Sequence, residues 1–70
     1  MERQPVESSN ISSVGFDPET ETLEVEFRNG SIYQYFGVPL PLFEQLTQSP
    51  SIGSFLNINI KESFPYERVG

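Results

Sequence analysis

Seventy residues make one small domain whose core is so limited that nearly every large apolar side chain is needed for stability. Ten acidic residues against four basic ones give a net charge of −6, which opposes phosphate binding unless the basic residues converge on one face. Cysteine and histidine are both absent, which excludes a disulfide framework, thiolate chemistry and Cys-based zinc sites.

The lack of cysteine fits a reducing compartment, and no stretch has the length of a signal-peptide core or the ~20 apolar residues of a membrane span, so a cytoplasmic, soluble protein is expected. Residues 1–8 are polar and are expected to form a flexible N-terminal segment, leaving residues 9–70 as the single domain. Asn10 to Phe16 reads as a first strand, with Val14 and Phe16 on one face and Ile11 on the other. Asp17-Pro18-Glu19-Thr20 fits a type I turn, because Pro18 presets φ at the second position and Asp17 can bond the backbone ahead of it. The second strand alternates Leu23, Val25 and Phe27 with Glu24, Glu26 and Arg28, and Asn29-Gly30 turns it back into a third strand carrying Tyr33 and Tyr35.

This hairpin has two registers that reverse every side chain of the third strand. A two-residue Asn29-Gly30 turn pairs Phe27 with Ile32, Val25 with Gln34 and Leu23 with Phe36, so both tyrosines face outward beside Glu24 and Glu26. A three-residue Arg28-Asn29-Gly30 loop with Gly30 left-handed pairs Val25 with Tyr33 and Leu23 with Tyr35, so the tyrosines join the core. The first turns polar Gln34 inward, while the second exposes Ile32 and Phe36. The second is preferred, but both stay open.

Val38-Pro39-Leu40-Pro41 leaves the sheet, because two prolines cannot donate to a ladder. A short helix follows over Pro41 to Gln48 with Leu42, Phe43 and Leu46 on one face. Ser49 or Ser51 caps a second helix running to about Lys61, whose buried stripe is Ile52, Phe55, Leu56 and Ile60. Gly53 inside that helix implies the close approach of another backbone, that of the hairpin. The tail from Phe64 to Gly70 is expected to run extended at Pro65 and to lay Phe64 and Tyr66 back on the sheet. The fold class is therefore α+β, with a three-stranded antiparallel sheet (β-β-β) followed by two short helices packed on one face.

Several pieces in this order resemble one family. Gly15-Phe16-Asp17, the Leu23-Val25-Phe27 arm, Gly30, Tyr33-Gln34-Tyr35, Val38-Pro39, Ser51-x-Gly53-x-Phe55-Leu56-Asn57-x-x-Ile60-Lys61 and Phe64-Pro65-Tyr66 are similar to the KTSC domain. That short domain is named for its occurrence at the C-terminus of some lysyl-tRNA synthetases and is found also as a stand-alone small protein. The resemblance implies RNA as a partner by association with the synthetase, and it transfers no aminoacylation to this chain.

The candidate ligand-binding residues are Tyr33, Tyr35, Ser51, Gly53 and Asn57. Two aromatics on one strand face can stack on bases or on peptide side chains, but in so small a core packing is their first expected role. Ser51 and Gly53 read first as cap and close-packing residues, and Asn57 as a brace for the adjoining loop. Glu24 and Glu26 read as a solvated acidic face, since no loop here supplies the six to eight oxygens of a calcium site. No catalytic residue, metal or cofactor is expected, and the chain is not expected to be an enzyme. The expected role is an interaction module that binds protein or peptide through an aromatic and acidic sheet surface, with RNA or tRNA binding through the Tyr33/Tyr35 strand as the alternative. Neither DNA nor a membrane is an expected partner, and the oligomeric state is open.

Overall fold

The computed structural model describes residues 1–70. The strands are β1 (Gln4–Pro5), β2 (Ile11–Asp17), β3 (Thr22–Phe27), β4 (Ile32–Phe36) and β5 (Tyr66–Arg68), and the helices α1 (Leu40–Gln48) and α2 (Ile52–Asn59) lie between β4 and β5 in the chain. Five strands form one sheet in the order β1-β2-β3-β4-β5, every neighbouring pair antiparallel. The α+β class and two helices on one face agree with the sequence reading, but the sheet has five strands where three are expected.

Both extra strands come from short polar ends. The segment read as flexible carries β1: Gln4 and Pro5 pair with Val14 and Ser13, and the Val6 N–H donates to Ser12 O at 3.2 Å. The tail lays Phe64 against the core and Tyr66 beside Tyr33 and Tyr35, as expected, and in doing so adds a strand to the sheet. Tyr66, Glu67 and Arg68 pair with Tyr35, Gln34 and Tyr33, and the Phe36 N–H donates to Pro65 O at 2.9 Å. Neither segment has the apolar alternation that marks a half-buried strand, because an edge strand draws its stability from the ladder of its neighbour.

The central hairpin adopts the three-residue loop. Phe27 N–H donates to Ser31 O at 2.8 Å, Gly30 N–H donates to Phe27 O at 2.9 Å, and Gly30 takes φ 93°, the left-handed region open to glycine. Asn29 Oδ1 steadies the loop by accepting from the Ser31 N–H at 3.0 Å and the Ser31 hydroxyl at 2.7 Å. Leu23 consequently lies opposite Tyr35 and Val25 opposite Tyr33.

On β2 the expected faces are corrected by a bulge. The register shifts between Ile11 and Ser13, so Ser12 is the extra residue, and Ile11 joins Val14 on the core side instead of facing away. The core is Ile11, Val14, Leu23, Val25, Tyr35, Val38, Leu46, Ile52, Leu56 and Ile60. Leu46 is the only fully buried residue of α1, with Leu42 and Phe43 packed half-buried beside it. Helix α2 contributes Ile52 and Leu56 and ends two residues short of its expected limit, where the Lys61 N–H closes back on Leu56 O at 2.8 Å.

Candidate functional site

The register fixes where the tyrosines stand. Tyr35 is 2% exposed and belongs to the core, as its packing role requires. Burial pushes its phenol up from the ordinary 10.0, and repulsion from the neighbouring Tyr33 and Tyr66 adds to that. Tyr33 is half-buried and meets Phe27 edge-on, with ring centroids 5.7 Å apart. Tyr66 lies directly opposite Tyr35, 58% exposed, with its ring 5.8 Å from both Tyr33 and Tyr35. Phe27, Tyr33 and Tyr66 thus form an aromatic strip across β3, β4 and β5 on the helix side of the sheet. Sequence reasoning named Tyr33 but missed Tyr66 as a site residue, because only strand pairing brings the tail alongside β4.

Beside Phe27 the strip opens into a groove of about 330 Å³ whose walls include Arg28, Lys61, Asn10 and Asn57, with Leu56 on its floor. No carboxylate lines it, in a chain with ten acidic residues. Arg28 is held across the mouth by its Nε, which donates to Ser8 O at 2.8 Å. A second groove of about 410 Å³ shares Ser9, Asn10, Gly53 and Asn57 with the first and adds Glu7, Ser8, Ser51 and Ser54.

The structure therefore brings Ser51, Gly53 and Asn57 together and separates them from Tyr33 and Tyr35, with Phe27 as the link. Ser51 sits at the N-cap position of α2 but makes no capping hydrogen bond through its side chain, contrary to its expected role. The nearest approach to Gly53 is made by side chains of the segment before β2 and not by the hairpin backbone. A Cβ there would stand 3.6 Å from Ser8 Oγ and 3.7 Å from Asn10 Nδ2, ordinary contacts with the segment that leads into β2. Asn57 is exposed, and the amide that braces α2 is that of Asn59, which donates to Phe55 O at 3.3 Å.

The opposite face of the sheet carries a polar network, with half-buried Ile32 and Phe36 on the same side. Arg3, carried across β2 by β1, pairs with Glu24 through Nη1 and donates from Nε to Ser13 Oγ at 3.0 Å. Gln34 Nε2 donates to Glu24 Oε1 at 2.8 Å, and Ser13 Oγ donates to Glu26 Oε1 at 3.0 Å. Burial pushes the Glu24 carboxyl up, but the hydrogen bonds from Gln34 and Arg3, with the positive charges of Arg3 and the N-terminus, outweigh it and hold the group below the ordinary 4.5. Glu24 is thus a buried, paired group and not part of a solvated face. The expected surface of aromatics beside acids does not exist, since Tyr33 and Tyr35 lie across the sheet from Glu24 and Glu26.

The largest concavity, about 590 Å³, lies at the β1 end of the molecule between Phe16, Pro18, Leu40 and Phe43, with Glu2 at its rim. Phe16 and Phe43 stack there at 4.8 Å and 11°. No group of three or more acidic side chains is placed to hold a metal ion, and no helix is long and apolar enough to cross a membrane.

Together these features define a small α+β domain that offers shallow surfaces instead of an enclosed pocket. The chain belongs to the KTSC domain family, which matches residues 7–64. It is 44% identical over 63 residues to a lysine–tRNA ligase of a Nostoc species, covering 90% of this chain and 11% of the ligase. An uncharacterized protein of Stutzerimonas stutzeri is 37% identical over 70 residues, covering 99% of each chain. The crystal structure of a KTSC domain protein from Yersinia pestis superposes with a TM-score of 0.95 at 40% identity, covering 99% of this chain and 97% of that one. The domain thus occurs both as a small part of a ligase and as almost the whole of a small protein.

Proposed function

We propose that the domain binds RNA along the surface that runs from Tyr66 and Tyr33 over Phe27 into the Arg28–Lys61 groove. The observation that carries this reading is the sorting of charge. Three of the four basic residues stand by the aromatic strip: Arg28 and Lys61 line the groove beside Phe27, and Arg68 lies opposite Tyr33 on the same side of the sheet. The fourth, Arg3, is consumed by Glu24 on the other face. A chain of net charge −6 nevertheless carries one basic, aromatic surface, the combination that stacks bases and neutralises phosphates. The lysine–tRNA ligase among the relatives favours RNA over DNA.

In a low-salt titration with a short single-stranded RNA, resonances of Phe27, Tyr33 and Tyr66 should shift while those of Arg3 and Gln34 stay in place. Arg28→Glu together with Lys61→Glu should abolish the response. Shifts confined to the Arg3–Glu24 face, or none at all, would overturn the reading.

Protein or peptide binding is the second reading, and the groove at Phe16, Leu40 and Phe43 favours it, being concave, half apolar and next to the two-residue edge strand β1. Peptides selected by display on the immobilised domain should lose binding on Leu40→Glu. Peptides that compete with RNA instead would count against it. Neither reading calls for a catalytic group.

A further inference from the structure

The two grooves that flank Gly53 differ in chemistry. The first has two cations and no carboxylate. The second is lined by hydroxyls, those of Ser8, Ser9, Ser51 and Ser54, and by one carboxylate, Glu7. They are continuous, since Ser9, Asn10, Gly53 and Asn57 line both. Glu7 makes the second groove unsuitable for a phosphate and suitable for a neutral ligand rich in hydroxyl groups. The Ser51 hydroxyl is free of any capping bond, although its position at the start of α2 would normally engage it. A sugar next to a phosphate is the repeating unit of a nucleic-acid strand.

Resting on the RNA reading above, we infer that the second groove is a ribose subsite, in which Glu7 and Ser51 take the 2′-hydroxyl of the nucleotide whose phosphate lies between Arg28 and Lys61. The carboxylate accepts the hydrogen of the 2′-hydroxyl and the serine donates to its oxygen, so a deoxyribose forgoes both hydrogen bonds and leaves these exposed groups to water. The ligand class is single-stranded RNA, because the 2′-hydroxyl is what distinguishes RNA from DNA at a single nucleotide, and a stacked base must be free of a duplex to reach Tyr33 and Tyr66.

The test is fluorescence anisotropy of the full chain in low salt with a labelled single-stranded RNA and a DNA of the same sequence. RNA should bind more tightly by about threefold to tenfold, the worth of one or two hydrogen bonds. Glu7→Gln and Ser51→Ala should each bring the RNA-to-DNA ratio toward one, while Lys61→Ala should weaken both strands together. Circular dichroism of each variant confirms that it is folded, and all three positions are exposed. Equal affinity of the native chain for the two strands, or a ratio untouched by both Glu7→Gln and Ser51→Ala, would overturn the ribose subsite and leave the RNA surface standing. Failure to bind either strand would overturn both.

Discussion

Gly15 and Gly53 are both family-patterned glycines in the sequence, yet their surroundings give them opposite consequences. A Cβ on Gly15 would fall 2.5 Å from Glu2 O and 3.1 Å from Arg3 Cγ, so the chain that carries β1 can cross β2 only where no side chain stands. Gly15→Ala should therefore cost about 1–3 kcal/mol, read as a lower urea midpoint, as β1 is forced off its neighbour. Gly53→Ala meets only ordinary contacts and should raise stability by up to about 1 kcal/mol in the same measurement, through the helical preference of alanine. Glu24 supplies a pH dependence. Its pKa is depressed in the folded state, so it contributes stability above the unfolded value of about 4.5, and that contribution is lost as pH falls through the lower folded value. Acid titration followed by circular dichroism should show this loss in the native chain and a flatter profile in Glu24→Gln, which at pH 7 is destabilised by about 1–3 kcal/mol because Arg3 loses its charged partner. None of this was legible at the level of single residues. Glu24 alternates with apolar neighbours as any solvated strand residue does, and only the return of Arg3 over β2 buries it.

Among the elements, the hairpin and both helices were readable because each advertises itself locally: alternation with Asn-Gly for the hairpin, prolines and apolar spacing for the helices. Helix α1 rests on a narrow base, since Leu46 is its one fully buried residue. Leu46→Ala should cost about 2–5 kcal/mol, visible as a depressed melting temperature, whereas Leu42, only half-buried, should tolerate alanine at a smaller loss. Strands β1 and β5 were not readable. A two-residue and a three-residue edge strand with exposed side chains have no period to detect, and their existence is decided by the free ladder positions on β2 and β4. The bulge at Ser12 was hidden for a related reason: alternation counted along one strand cannot reveal that its partner advances by one residue fewer.

Across the whole molecule the sheet separates what the composition mixes. The net charge of −6 conceals this sorting, because most of the ten acidic residues belong neither to the Arg3–Glu24 network nor to the groove beside Phe27. If Arg28, Lys61 and Arg68 each neutralise one phosphate, the logarithm of the RNA association constant should fall against the logarithm of salt concentration with a slope of about −2, from roughly 0.7 per phosphate of a single strand. A slope near zero in an anisotropy salt series would remove the phosphate contacts from the proposed surface. The five candidate residues also divide at this scale. Tyr35 is core, Tyr33 is the middle of the aromatic strip between Phe27 and Tyr66, and Ser51, Gly53 and Asn57 line grooves on the far side of Phe27.

By itself the sequence determined the α+β class, the hairpin, the two helices and the membership of the KTSC family, because each rests on short-range pattern: period two, helical spacing, turn chemistry, and an ordered set of residues. Tertiary structure alone decided the hairpin register, the edge strands β1 and β5, the burial of Glu24 under Arg3, and the gathering of Arg28, Lys61 and Arg68 beside Phe27, Tyr33 and Tyr66. These depend on contacts between residues far apart in the chain, where a one-residue change in pairing moves a side chain to the other face of the sheet.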